Sequence, residues 1–406
     1  MTAQDFDHHS THYAENWREI NAELRATCPV ARSEAHGGFW VVSRYDDVST
    51  VVHDDTTFSS YQELPDGSHL GVTVPVTAIR QVPIEMDPPE FHTYRKLLTP
   101  WFSPGKAEQW RPYLEEAVTF CVDRVIESGT ADFMSDIAGP VPAILTLKLL
   151  GLPTDDWQKF SAAVHASIHS VPGTPENDAA VAQIMALMGQ VQEAVVQRRA
   201  EPADDLISAL VHSEVDGAPL SDQRLMEMIS LVIYGGIDTT SALTGSVLEW
   251  LARHPEERAR LRENPELIPQ ATEEFLRYFS PVQALSRTAT RACELGGQQI
   301  KAGDQVLMSW SSANFDETMF DRPDEVVLDR FPNRHQAFGL GIHRCLGSNL
   351  ARVEFGVILQ EVLRRMPDYT IEASAGRYST IGVVNGWATL PATFTPGTRE
   401  GSGVLA

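Results

Sequence analysis

Cysteine, positive charge and long apolar runs are all scarce in this chain of 406 residues. Lysine and arginine number 32 against 55 acidic residues, a formal net charge of −23. That balance excludes a dedicated nucleic-acid binder, which needs concentrated positive charge to displace counterions from phosphates. The four cysteines, Cys28, Cys121, Cys293 and Cys345, form no Cys-x-x-Cys pair, and no His-Glu-x-x-His segment occurs. Neither a disulfide scaffold nor a zinc site is therefore indicated. The most apolar windows, residues 143–152 and 229–237, fall far short of the roughly 20 residues that span a bilayer. The opening Met1-Thr2-Ala3-Gln4-Asp5-Phe6-Asp7 has no basic start and no apolar run, so no secretory signal is expected. A soluble cytoplasmic protein with no membrane partner is the expectation. Internal repeats, low-complexity tracts and clear linkers are also lacking.

What remains is ordinary globular composition: 43% hydrophobic and 21% charged, enough for a large core. Periodicity and capping residues predict helices over 45–53, 90–98, 106–128, 155–169, 178–199, 221–254 and 348–365, with another ending near Phe279. Strand patterns fall at 39–43, 284–290, 295–300, 305–310, 369–372 and 388–394. These add up to a single domain over 1–406, mainly α with a smaller β portion. Residues 62–86 are too long for an ordinary connection and form a candidate functional loop. The clearest helix starts at the N-cap Ser221, and its roughly 33 residues extend about 50 Å. Gly235-Gly236 interrupts its centre, each glycine costing about 1 kcal/mol there. Either close helix packing or a local functional opening accounts for that.

The segment Phe338-Gly339-Leu340-Gly341-Ile342-His343-Arg344-Cys345-Leu346-Gly347 carries the chemistry. Its glycines let backbone pass close to a flat ligand, and it leads into a helix starting near Ser348. Backbone N–H groups and a helix N-terminus favour a thiolate, and His343 and Arg344 add positive neighbours. Cys345 thus suits a metal ligand. The pattern resembles the haem-binding signature of the cytochrome P-450 family.

The resemblance extends over nearly the whole chain. Gly235-Gly236-Ile237-Asp238-Thr239-Thr240 is similar to the family's oxygen-binding sequence, where small residues and a local helix opening leave room for dioxygen. Asp238 and Thr239 would relay protons there. Glu274-Phe275-Leu276-Arg277 matches the family's Glu-x-x-Arg motif, a buried structural network behind the cysteine loop, with Arg330 as third member. Asp87-Pro88-Pro89-Glu90-Phe91-His92-Thr93-Tyr94-Arg95 resembles the segment opening the helix that carries a haem-propionate ligand. Arg95 matches that ligand, while Phe91 stands where a polar partner is common. His92, one residue on, either contacts the haem or faces the redox partner. Arg287 and His343 match two further propionate contacts.

The resemblance implies the cytochrome P-450 fold, with a long central helix over the haem. It implies haem b (iron protoporphyrin IX) with Cys345 as the metal ligand and Arg95, Arg287, His343, Phe338, Gly339, Gly347 and His92 around the cofactor. It further implies a monooxygenase that inserts one oxygen atom of O2 into a hydrophobic small molecule, by hydroxylation or epoxidation. Thiolate donation favours O–O cleavage, and Asp238 and Thr239 are the catalytic pair. No flavin or nicotinamide domain is evident, so electrons would come from a ferredoxin and its reductase.

Substrate-facing positions implied by the family are Ile79 and Val82, Tyr234 and Gly235, Val282, Ala284 and Leu285, and Val383 and Val384. Most are apolar, which suits a hydrophobic ligand held by shape. Tyr234 either narrows the pocket, donates a hydrogen bond or turns into the protein. The chain resembles soluble bacterial camphor- and terpene-hydroxylating members, but Ile79 replaces the tyrosine that would anchor camphor. Terpenoid, steroid, polyketide and aromatic substrates stay open. The alternatives are a non-catalytic haem carrier or gas sensor and a peroxide-using peroxygenase; an intact Asp238-Thr239 pair argues against them.

Against the acidic background, residues 330–352 hold Arg330, Arg334, Arg344 and Arg352 and no acid, and residues 91–106 hold Arg95, Lys96 and Lys106 and no acid. These two segments are expected to form a positive face that steers an acidic ferredoxin.

Overall fold

The computed structural model describes residues 6–77, 79–403 and 405. Helices carry most of the chain, beside a five-stranded sheet and smaller hairpins. That sheet runs in the order Val30–Ser33, Phe39–Val42, Gln305–Ser309, Ala284–Ala289, Phe58–Ser59. Val306 lies opposite Trp40 in a parallel pair and opposite Arg287 in an antiparallel one. The register therefore fixes the Arg287 strand against the N-terminal third of the chain.

Local sequence explains most element ends. Tyr45–His53, Glu90–Leu98 and Ser348–Arg365 are helices, as expected. The 106–128 stretch is two helices rather than one, Pro104–Gln109 and Arg111–Asp123, divided at Trp110. Pro112 sits in the first turn of the second, where an absent N–H forfeits no helical bond. The strand expected at 295–300 is a hairpin, Cys293–Leu295 against Gln298–Ile300. Gly296 and Gly297 take positive φ, 54° and 77°, and reverse the chain between them. The helix Pro140–Leu150 escaped prediction because it is buried on nearly every side, leaving no polar face to mark its period.

The central helix, Asp222–Arg253, is 32 residues long, and the Ser221 hydroxyl accepts from the Arg224 N–H at its start. It packs against Pro140–Leu150, Trp157–Ile168, Ile268–Phe279 and Ser348–Arg365. The two glycines at its middle act differently. A Cβ on Gly236 would lie 2.5 Å from Thr146 Oγ1, so this glycine lets Pro140–Leu150 approach closely. A Cβ on Gly235 would meet nothing within 4 Å, and Gly235 is exposed although it sits mid-helix. The expected opening is therefore free space beside Gly235, not a break in the helix, which stays α-helical throughout.

Among the described residues one helix, Pro175–Ala200, is long and apolar enough by length and composition to cross a bilayer, a feature the windows above overlook. It packs on Trp157–Ile168 and Leu206–Val211, burying Ile184, Leu187, Val191 and Val195 on one stripe.

The 62–86 stretch is organised by a buried carboxylate. Glu85 accepts from the Val72 N–H at 3.0 Å and the Gln81 N–H at 2.8 Å. Gly71 makes room for it, since a Cβ there would lie 1.9 Å from Glu85 Oε1. His9 Nε2 meets the Val74 carbonyl at 3.0 Å, and the Gly382 N–H donates to the His8 carbonyl at 3.0 Å. The N-terminal segment thus ties this loop to the C-terminal turn, two of the regions assigned to substrate.

Candidate active site

The cysteine loop is closed by a 2.8 Å hydrogen bond from the Cys345 N–H to the Phe338 carbonyl. Gly339 and Gly341 take φ of 65° and 63°, and a Cβ on Gly341 would lie 2.9 Å from the Val52 carbonyl oxygen. Glycine is required at both by backbone conformation, and at Gly341 also by space. The Arg352 guanidinium sits 4.6 Å from the Phe338 ring centre and reaches Glu273 at 2.6 and 2.7 Å. Burial would raise the Glu273 carboxyl, but its bonds to Arg352 and His335 win and hold it at about 2.

Behind this loop lies the Glu-x-x-Arg network. Glu274 and Arg277 have no exposed side-chain surface and share two 2.8 Å hydrogen bonds. Glu274 also accepts from Arg330 Nε at 2.9 Å, Asn333 Nδ2 at 3.0 Å and the Val327 N–H at 2.8 Å. Arg277 donates further to the carbonyls of Asn314, Pro323 and Glu325. Every charge is paired and hydrogen-bonded, the condition under which buried ions are tolerated. The network holds residues 314–333 in place ahead of the cysteine loop.

Cys345 is accessible, yet enough protein surrounds it that burial pushes its thiol up. The Gly347 N–H and the cations Arg95, Arg344 and Arg352 pull the other way, toward thiolate.

A cluster of basic residues stands beside it. Arg287 is 4% exposed; its Nη1 donates to the Ser286 carbonyl at 2.8 Å, and burial lowers it to about 10. Its nearest counter-charge is Asp87, whose carboxylate is already engaged by Ser59 and by the Ser60 N–H at 2.8 Å. His343 is held neutral, down at about 2, first by burial and then by Arg287, Arg95 and His92. Its Nε2 faces Ser60 Oγ at 3.1 Å, while its Nδ1 is buried without a partner. Arg95 donates to the Arg344 carbonyl at 2.5 Å, which ties the cluster to the cysteine loop. The Phe91 ring packs against His343 at a tilt of 51° with ring centres 4.2 Å apart, so the apolar residue supports the imidazole instead of offering a bond. Arg95, Arg287, His343 and His92 therefore share one field, in which Asp87, the carboxylate acting on Arg287, is already engaged by Ser59 and Ser60. A cofactor bearing carboxylates and an iron for Cys345, which is haem, fits these donors.

The assigned substrate positions do not all behave alike. Val282 bridges Val384 across an antiparallel contact, and the Gln283 N–H donates to the Val383 carbonyl at 2.8 Å, so the two segments are joined. Ile79, Tyr234, Val282, Leu285 and Val383 are half-buried and Gly235 is exposed. Val82 is wholly buried in the main core. Ala284 is buried as well, at 6% exposed. Strand alternation turns it into the cluster of Phe39, Leu307 and Phe315, opposite to its neighbour Leu285, which packs with Trp310 and Leu340. Val384 is likewise 2% exposed. The Tyr234 hydroxyl meets Ser167 Oγ at 3.4 Å, so the side chain turns toward Trp157–Ile168.

Asp238 and Thr239, adjacent in sequence, point different ways. Thr239 Oγ1 donates to the Gly235 carbonyl at 2.9 Å, beside the free space. Asp238 is 2% exposed and lies against His169 Nε2, at 3.1 and 3.3 Å, with His165 Nδ1 also at 3.3 Å. Burial would raise the Asp238 carboxyl, but the two imidazoles outweigh it and the net shift is downward. Sequence reasoning missed both histidines. Their i, i+4 spacing, which puts them on one helix face, was the available signal.

Comparisons agree with this geometry. The profile of the family described as "Cytochrome P450" matches residues 174–367. The Steroid C26-monooxygenase of Mycolicibacterium smegmatis is 33% identical over 388 residues, covering 93% of each chain. The Nocardicin C N-oxygenase of Nocardia uniformis is 37% identical over 352 residues, 85% of this chain and 87% of the other. Among solved structures, Mycobacterium marinum cytochrome P450 CYP268A2 in complex with pseudoionone superimposes with a TM-score of 0.87 at 30% identity, covering 96% of this chain and 98% of that one. With the thiol, the anion-seeking cluster and the relatives in accord, the chain belongs to the cytochrome P450 family of haem-binding monooxygenases.

Proposed function

We propose that this monooxygenase, acting as one domain, hydroxylates or epoxidises a hydrophobic small molecule of terpenoid, steroid, polyketide or aromatic character, using electrons from a ferredoxin. The observation that carries the proposal is the convergence of Arg95, Arg287, His343 and His92 beside an accessible Cys345 surrounded by protein. Haem held there supplies oxygen activation and oxygen-atom transfer, chemistry that belongs to the cofactor. Cys345 would bind the iron, and the basic cluster would hold the propionates. Gly235 leaves space beside the Thr239 hydroxyl, and Asp238 with Thr239 would supply protons there. Apolar Ile79, Val282, Leu285 and Val383 would exclude water and orient substrate by shape. Relatives named for a steroid and for nocardicin C, and a neighbour holding pseudoionone, support a broad apolar class.

The ferredoxin part of the proposal draws on the acid-free segments. They meet through Arg95 on the Arg344 carbonyl and through Asn349 Nδ2 on the Phe102 carbonyl at 3.0 Å. Arg330 and Arg352 are committed to Glu274 and Glu273, which leaves Lys96, Arg334 and Arg344 exposed for a partner. The test is a panel of terpenoid, steroid, polyketide and aromatic compounds, followed by haem spin-state titration and then turnover with a ferredoxin and its reductase. A compound that shifts the spin state and is oxygenated supports the proposal. Oxygenation by peroxide alone, with ferredoxin inert, would replace it with a peroxygenase. Salt is expected to slow electron delivery more than it weakens substrate binding, and equal sensitivity would count against the docking face.

A further inference from the structure

Asp238 is too deeply buried to exchange protons with bulk water by itself. Its contacts are with the end of Trp157–Ile168 and the residue after it. His169 Nε2 lies within hydrogen-bond reach of both carboxylate oxygens, and His165 completes the far side. The C-terminal segment adds Tyr378, whose ring lies parallel to His169 at 3.6 Å and 4°, with the charges of Asp238 and Asp132 both acting on Tyr378. His169 Nδ1 is buried without a hydrogen-bond partner, and neither ring nitrogen of His165 has one. Two imidazoles with unused nitrogens, clasping a buried carboxylate beside the oxygen-handling segment, have the composition of a proton wire.

We infer that His169 delivers protons to Asp238, with His165 as the second imidazole of the same entry path. The inference rests on the proposed role of Asp238 and Thr239. The step balances as follows. Neutral His169 donates its Nε2–H to ionised Asp238. A hydronium ion at the solvent end of the path gives its proton to Nδ1 and becomes water, which makes an imidazolium; the Nε2 proton then passes to Asp238, leaving a carboxylic acid and neutral His169 protonated at Nδ1. Asp238 releases its proton toward the Thr239 side and returns to carboxylate. Rotation of the neutral ring, which carries its N–H back to the Asp238 side, restores the start with no proton gained or lost, so one proton crosses and neither side chain changes charge. His169 is a positioning residue here, since it acts through Asp238.

The test uses the haem-loaded protein with a substrate and its electron donors, and compares His169→Gln, His169→Phe and Thr239→Ala. The readouts are the share of reducing equivalents lost as peroxide across about pH 5.5 to 9, and substrate affinity. Both His169 variants are expected to lower coupled turnover roughly tenfold or more, to flatten the pH profile and to leave substrate affinity unchanged. Wild-type coupling and pH profile in both would overturn the inference. If Thr239→Ala uncouples while the His169 variants do not, the histidine path alone fails; if none uncouples, the Asp238-Thr239 role fails with it. A second readout needs no turnover: the hydrogen-bonded Nε2–H proton resonance of His169 in the ferrous carbon-monoxide form. It should vanish in Asp238→Ala, which removes the acceptor, and its persistence unchanged would contradict the pairing.

Discussion

The Arg95 guanidinium donates a hydrogen bond to the carbonyl oxygen of Arg344, the residue before the cysteine, at 2.5 Å. One side chain therefore joins the anion-seeking cluster to the iron-binding loop across 249 residues of sequence. Arg95→Ala removes both the cation and this tie. Charged hydrogen bonds contribute about 1.5–3 kcal/mol, so haem affinity should fall roughly 10- to 100-fold. Arg95→Lys keeps the charge without the planar fork and should recover only part of the loss. Haem-to-protein ratio after gel filtration measures both.

Glu274 and Arg277 make the opposite kind of pair, structural and fully buried. Glu274→Gln leaves Arg277 and Arg330 without their shared carboxylate, a change of ~3–5 kcal/mol for a broken buried pair. The expected outcome is poorly folded protein with little haem, seen by circular dichroism and by yield. Normal folding with altered catalysis would assign this pair a chemical role instead.

The glycine pair separates packing from space. Gly236→Ala must push aside Thr146 and should lower the melting temperature. Gly235→Ala meets nothing and gains about 1 kcal/mol of helix propensity, so stability should hold or rise. Its effect should appear as weaker binding of bulky ligands in spin-state titrations.

Glu354 is buried against the central helix with Oε1 unpartnered, and burial raises its carboxyl to about 8. The folded state holds this proton more tightly than the unfolded chain, so stability is greatest below the ordinary glutamate value of 4.5. It is lost as pH rises toward 8. Glu354→Gln removes that dependence. Its melting temperature should gain on the wild type steadily between those two pH values, and parallel curves would show that Glu354 is not the group titrating.

How much of this was legible beforehand follows from locality. The cysteine loop, Glu274 with Arg277, and Asp238 with Thr239 are short segments whose chemistry is complete within a few residues. Their family pattern carries the fold with them. The Gly296-Gly297 hairpin was misjudged because a strand pattern of period two continues through a turn unless the glycines are weighed. Val82 and Ala284 were placed by position along the family, whereas their direction depends on core packing and strand alternation. His169 lies 69 residues from Asp238 in sequence, and only the packing of Trp157–Ile168 on the central helix brings it and His165 there. The i, i+4 spacing of the two histidines marks a shared helix face, but nothing local names the partner which that face meets.

The central claim is that Cys345 binds the haem iron as thiolate, and the absorption spectrum of the reduced carbon-monoxide complex tests it most directly. The wild type should show the red-shifted Soret band of thiolate ligation, and haem-loaded Cys345→His should show the band of imidazole ligation instead. A wild type without the thiolate band, or a Cys345→His variant that keeps it, would contradict the account.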